Sequence, residues 1–356
     1  TLATDGTSLF VGGEFTSVNG TAQQGFTRFS PLAGGASALP GKPGTPRASV
    51  LPDGSVNIAV QPPLDNDDTD LTLRLYRDGG ATAVATVDVH SLFWKRPTVT
   101  FVEKGLAAGS THSWTVDAVE KNGTLKQASA KSSSTGNVTI SPVKAYQAAV
   151  DADSPSFFWR LGEPAGPVAV DASASGSSGA YNGTVTYAQP GPITGDPTAI
   201  AVNGVDGLVV SNKTSSQSAF SAEAWFKTTS TTGGKIIGFG NVPAGFDFSG
   251  NPAISWNYDK HVYMTDDGHL VFGVWNGQAD TITSPTSLND GQWHHVVATQ
   301  GATGMALYVD AVRVGKNGVT TNQPYDGYWR VGGDNIGGWP GQPTSSFFAG
   351  TLADVA

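Results

Sequence analysis

The stretch "LNDGQWHHVVATQGATGMALYVDAVRVG", residues 288–315, decides the fold. It places a tryptophan and two adjacent histidines at the head of two apolar runs split by a glycine turn. Successive side chains on a strand point to opposite faces, so His294 and His295 cannot ligate one metal together without a bulge. One histidine falls on the face of Ala298, the other on the face of Trp293 and Val297. A structural role in a hairpin therefore outweighs a metal or catalytic role for the pair.

The same alternation recurs outward from this hairpin. In "FSAEAWFKT", Phe220, Ala222, Ala224 and Phe226 face one way while Glu223 and Trp225 face the other. More than ten strand candidates fill residues 145–356, among them 157–161, 208–210, 236–239, 270–274 and 347–353. Upstream, short strands at regular spacing run through Val56, Ile58 and Val60, then Leu71 to Leu75, Val84 to Val89, Val99 to Phe101, and Trp114 to Ala118. Turn signals at Pro52-Asp53-Gly54, Asp78-Gly79-Gly80 and Asn122-Gly123 separate them, which predicts a sandwich of about seven strands. The opening "LATDGTSLFVGGEFTSVNGTAQQGFTRFS" supplies two or three short strands, too few to close a core. "SPLAGGASALPGKPGTP", residues 30–46, and "STGNVTISPVK", residues 134–144, have linker composition.

Composition agrees with an all-β chain. The 356 residues exceed what one core serves, and 14% charged residues, 46 glycines and 10% aromatics favour short strands and many turns. Twenty basic against 29 acidic residues leave a net charge of −9, which repels nucleic acid and anionic lipid headgroups. Neither nucleic acid nor membrane insertion is expected. Without cysteine there is neither a disulfide framework nor a thiolate metal site. The chain opens inside a repeat-like pattern and stops at "GTLADVA" in an apolar strand pattern, so it reads as a piece of something longer.

Three resemblances organise these segments. Residues 1–40 resemble the last blade of a bacterial β-propeller repeat followed by a linker, implying an upstream propeller of the same parent protein. Residues 41–137 resemble a fibronectin type III domain, most closely in "LTLRLYRDGG" and "GLAAGSTHSWTVDAVEKNGT". Val60 stands there where the family carries a strand-B tryptophan, and Trp114 where a corner tyrosine is expected. Residues 138–356 resemble a laminin-G-like jelly roll of the concanavalin-A-like lectin/glucanase superfamily. The markers are "SPSFFWRLGEPAGPVAVDASASGSSGAYNGTVTY", "FSAEAWFKTTSTTGGKIIGFG", the opening stretch and "FFAGTLADVA", with Ala311 in place of a turn glycine.

The jelly-roll resemblance implies adhesion or carbohydrate recognition at the cell surface or outside the cell, with the fibronectin-like part as a spacer setting reach. A structural stalk without a small ligand and an accessory module of a secreted glycan-degrading enzyme are the alternatives. No enzyme activity is expected of this chain. Glycoside hydrolysis needs two facing carboxyl groups, whereas the only glutamates are Glu14, Glu103, Glu120, Glu163 and Glu223, and no strand carries Glu-x-Asp-x-Glu. No Gly-x-Ser-x-Gly elbow is present either.

Sugar recognition uses aromatic faces with Asp or Asn holding hydroxyls, and two segments carry both. "AISWNYDKHVYMTDDGHLVFGVWNGQAD" offers Trp256, Tyr258 and Trp275; "YDGYWRVGGDNIGGWPGQP" offers Tyr325, Trp329 and Trp339. Trp275, in strand alternation, is expected in the core or on the sheet surface, and Trp339, in a Gly/Pro loop, is expected to be exposed. The resemblance also implies a structural Ca2+ joining the start of the domain to its last strand, matched to Asp171 and Asp354, with Asp334 as a further acid. The acidic run 65–70 lacks EF-hand spacing and reads as a solvated loop. The sequons at Asn19, Asn122, Asn137, Asn182 and Asn212 are assigned no role.

Overall fold

A computed structural model describes the chain except for residues 1, 6–8, 19, 30–38, 52–53, 66–67, 93–95, 122–126, 141–144, 194–195 and 248. The expected turns at Pro52-Asp53 and Asn122-Gly123, part of each linker, and the middle of the acidic run fall outside the described residues. The chain divides into two units, Thr1–Leu39 and Pro40–Ala356.

The first unit has β1 (Leu2–Thr4), β2 (Leu9–Gly12) and β5 (Phe26–Phe29) in one sheet, with β3 (Ser17–Val18) paired to β4 (Thr21–Ala22). Leu2, Leu9, Phe26 and Phe29 all stay exposed, as strands too few to enclose a core require.

The second unit begins with a sandwich. One sheet orders β10 (Val99–Glu103), β7 (Val56–Val60) and β6 (Arg47–Val50); the other orders β12 (Trp114–Glu120), β8 (Asp70–Arg77) and β9 (Ala85–His90). Alternating Val56, Ile58, Val60, Leu71, Leu73, Leu75, Phe101 and Val116 fill the space between them. Trp114 is buried in that core and its indole N–H donates to Glu103, which also takes Arg77. The Asp78-Gly79 turn is as expected, with φ of 52° and 70°. Further along, β13 (Val138–Thr139) pairs with β11 (Thr111–His112), and Ile140 joins the same core. This sandwich therefore runs past the boundary expected at 137.

The remaining residues open with α1 (Ala145–Ala152), where only strands are expected from sequence. Its "AYQAAVDA" is alanine-rich and free of glycine and proline, which suits a short helix. A jelly roll follows, built from β14 (Val168–Ala169), β15 (Gly179–Asn182), β16 (Val185–Ile193), β17 (Asp196–Asn203), β18 (Leu208–Ser211), β19 (Phe220–Lys227), β20 (Gly234–Gly240), β21 (Tyr258–Met264), β22 (His269–Trp275), β23 (Ala279–Ser287), β24 (His294–Gly301), β25 (Gly304–Val309), β26 (Val312–Asn317), β27 (Tyr328–Val331) and β28 (Ala349–Ala353). An eight-stranded sheet, β14-β15-β18-β27-β20-β21-β22-β23, packs on a seven-stranded sheet, β16-β17-β28-β19-β24-β25-β26. Phe226, Phe239, Phe272, Leu307, Phe348 and Leu352 lie in the core between them.

The opening stretch is the β24–β25 hairpin closed at Gly301 and Gly304. His294 and His295 do point to opposite faces. The first is buried between Asp290 and Asp310, and the second stacks on Trp225 with ring centroids 4.8 Å apart. The β25–β26 turn puts Ala311 at φ 65°, a glycine-like conformation that explains the glycine usual there.

The two sandwiches are seated on each other. Strand β7 is buried on both faces, with Val56, Ile58 and Val60 in its own core and Asn57 and Ala59 on the other side. The Asn57 side-chain amide donates to the carbonyls of Asp171 (2.7 Å) and Ser173 (2.9 Å), and Ala59 packs on Val168 and Val170. Asn212 donates to Thr98 O at 2.9 Å, and Gln147 to Val50 O at 3.1 Å. The first sandwich is thus docked on the jelly roll, instead of setting reach from the end of a linker.

Candidate functional site

Strands β20, β21, β22 and β27 turn one side to the jelly-roll core and the other outward. The outward side chains include Lys235, His261, Tyr263, Val271 and Arg330, with Gly238, Gly240 and Gly273 between them. A Cβ at Gly273 would stand 2.6 Å from the Trp339 ring, and one at Gly240 would overlap the Ser255 hydroxyl. Two loops, 241–257 and 332–348, lie down on the sheet at these bare positions.

Charged groups hold the loops in place. Asp334 accepts the Ser255 N–H at 2.7 Å, with Arg330 Nε at 3.3 Å and Lys235 Nζ at 3.7 Å. Lys235 also donates to Asn335 O at 2.7 Å, while the two terminal nitrogens of Arg330 bind the carbonyls of Val242 and Ala253. Tyr258 and Tyr263 donate their hydroxyls to Gly337 O and Pro340 O of the second loop. Burial would raise the Asp334 carboxyl, but Lys235 and Arg330 outweigh it and hold the group below the ordinary carboxylate range. Burial pushes Lys235 down to about 8. His261 is fully buried with neither ring nitrogen hydrogen-bonded, and it meets Trp339 edge-on at 4.4 Å. Burial, and then Lys235 and Lys260, keep that imidazole well below its usual value, so it is neutral.

The six aromatic residues singled out from sequence separate into three places. Tyr258 and Trp339 meet His261 on the outward face, and Trp275 lies against Trp339. Trp339, expected to be exposed, is 6% exposed because it plugs the space over Gly273; Trp275, beside it at 6.3 Å, is 40% exposed. Trp256 stands 79% exposed on the first loop. Trp329 and Tyr325 lie on the core side against Phe239, with Trp329 only 5% exposed. Strand alternation sends Trp329 inward and its neighbour Arg330 outward. Trp329 also lines a cleft of about 580 Å3 with Phe157, Phe220, Glu223 and Asp153.

Tyr258 opens β21 and Trp275 closes the antiparallel β22, so both lie at one end of the sheet, where Asp259 accepts the Trp275 N–H at 2.6 Å. Trp256 enters at this same end. Its backbone is fixed on both sides, because Ser255 N–H is bound by Asp334 and Asn257 exchanges two 3.0 Å hydrogen bonds with Asn241.

The aspartates matched to calcium are engaged otherwise. Asp171 and Asp354 do flank one segment, since Trp159 bridges both Asp171 and Val355. Both are buried, however. The Asp171 carboxylate accepts from Phe158 N, Ser173 N, Ser173 Oγ, Ser175 Oγ and Ser177 N, all within 2.9 Å, and Asp354 receives Arg160 Nε at 2.7 Å. Five donors fill the Asp171 oxygens that a cation would need, and the Arg160 guanidinium already pairs Asp354, so the pair as arranged does not fit Ca2+. Asp334 belongs to the loop network above. Among the described residues, no group of three or more His, Asp and Glu side chains could hold a metal ion.

The network residues Lys235, His261 and Arg330 are absent from the sequence expectations. Lys235 and Arg330 are each a lone ionisable side chain inside an apolar strand, in "GGKIIGFG" and "YWRVGG", and that pattern was the available signal; His261, directly after Asp259 and Lys260, carried no such signal.

Residues 202–356 match a laminin G family model of the concanavalin A-like lectin/glucanases superfamily. No curated protein matches the chain. Similar solved structures include the native heptameric SAP-like pentraxin from Limulus polyphemus, at 20% identity over 48% of this chain and 74% of that one, with a TM-score of 0.31. Domain 4 of an extracellular arabinanase from Geobacillus stearothermophilus, in complex with arabinotriose, is similar at 18% identity over 49% and 74%, with a TM-score of 0.30. A carbohydrate-binding module from Bacillus subtilis is similar at 12% identity over 48% and 91%, with a TM-score of 0.25.

Proposed function

We propose that this chain is a non-catalytic, extracellular or cell-surface glycan-binding fragment. The jelly roll would stack sugar rings on Trp256 and Trp275, and the docked sandwich, read as a fibronectin type III domain, would buttress it. One observation carries the reading. An indole left 79% in water on a backbone pinned by hydrogen bonds at Ser255 and Asn257 has no packing role to explain it, and a second indole is exposed at the same end of the sheet. The match of residues 202–356 to a lectin/glucanase superfamily supports it.

Two jelly-roll glutamates stand where a hydrolase reading would look for acids. Glu163 is buried and accepts Val170 N and Tyr181 Oη, while Glu223 lies 3.6 Å from His295. Both fit structural roles.

Titration calorimetry of the whole chain against neutral oligosaccharides tests the proposal. Trp256→Ala and Trp275→Ala are each expected to weaken binding by about tenfold or more, with thermal stability unchanged for Trp256→Ala. If both variants bind like the parent chain, the platform lies elsewhere. Silence across the whole panel would remove the glycan reading and favour the stalk.

A further inference from the structure

We infer that the ligand of this face is a neutral glycan, and that uronate-, sialate- or sulfate-bearing glycans are rejected. The inference rests on the glycan-binding reading above and deepens it. Strands β20 to β23 and β27 and both loops come from residues 228–312 and 317–356, which contain three Lys or Arg residues in total: Lys235, Lys260 and Arg330. All three are buried and engaged. Lys235 binds Asn335 O, and Arg330 binds the carbonyls of Val242 and Ala253. Lys260 donates to Gln323 O at 3.2 Å and sits 4.7 Å over the Phe239 ring.

None of them can turn outward without leaving a buried acceptor or carboxylate unpaired. The exposed charge on the loop that carries Trp256 is Asp247, whose carboxylate is fixed by the N–H groups of Ser249 and Asn251. An anionic sugar stacked on Trp256 or Trp275 therefore finds a carboxylate and no free cation, in a chain of net charge −9. Recognition of carboxylate or sulfate groups relies on Arg and Lys donors that this face keeps to itself. A neutral ring loses nothing by this arrangement, since stacking and hydroxyl hydrogen bonds need no cation.

The test uses the full chain with neutral β-glucan, xylan, galactomannan and arabinan, each also in carboxymethylated form, and in methylated form at equal substitution to control for bulk. For the backbone that binds, the carboxymethylated form is expected to bind at least about tenfold more weakly than the methylated one at low salt. The gap should narrow as salt screens the repulsion. Ile254→Lys, which places a cation two residues before Trp256 at a position already exposed, is expected to close most of that gap without weakening the neutral form. Equal or tighter binding of the carboxymethylated form at low salt overturns the inference, as does a gap unchanged in Ile254→Lys. If every backbone is silent in all forms, the glycan reading itself fails and takes this inference with it.

Discussion

At the scale of single residues, His261 is the clearest case of burial setting chemistry. Its folded value lies well below the ordinary 6.5 because burial and the neighbouring ammonium groups of Lys235 and Lys260 oppose its charge. Below about pH 6.5 the unfolded ring takes up a proton that the folded ring refuses, so stability is lost as the pH falls, by up to ~1.4 kcal/mol per pH unit. Asp151 works in the opposite direction. Burial, and then Asp171, push it up to about 6, so its contribution falls as the pH rises from 3.8 to about 6. The informative quantity is therefore the difference between parent and variant: His261→Leu should flatten the stability profile between pH 6.5 and 5 in urea titrations, and equal slopes would contradict the assignment. Sequence alone could name the aromatic residues of this region but not their exposure. Trp339 in its Gly/Pro loop is buried and Trp275 in its strand is the more open of the two, because exposure depends on what lies above a side chain.

At the scale of elements, the loop 332–348 and the strand β22 are complementary in shape. Gly273 leaves the gap that the Trp339 ring fills, and Gly273→Ala would force its Cβ to within 2.6 Å of that ring. The expected cost is about 1–3 kcal/mol, seen as a lower unfolding midpoint. Trp339→Ala placed in the Gly273→Ala background should cost clearly less than it does alone, since the clash disappears with the ring. Additive effects in that cycle would show that the ring and the strand do not meet. Strands with strict alternation, such as β19 and the β24–β25 hairpin, were legible because a buried and a half-buried face impose a period of two. The helix α1 and the two-residue strand β13 were not. Elements that short bury too few side chains to leave a pattern.

At the scale of the whole molecule, docking of the first sandwich on the jelly roll places them in one compact unit between Pro40 and Ala356. Asn57→Ala should destabilise that unit by about 1–3 kcal/mol, because the Asp171 and Ser173 carbonyls lose their buried donor. Calorimetry of the full chain should show both sandwiches melting together, with the shared midpoint lowered in the variant. Two separate transitions, with only one sensitive to Asn57, would mean that the contact does not couple them. The all-β class, the order of the sandwiches and the two faces of β19 and β24 were legible in the chain as written, because composition and a two-residue period are local properties; the nine-residue strands β16 and β23 were not. Three things emerged only on folding: Asp171 became a hub for five donors, β7 was buried on both faces, and Lys235, His261 and Arg330 met beneath two loops. Each of these depends on residues far apart in sequence coming into contact, and no local pattern records which pairs do so.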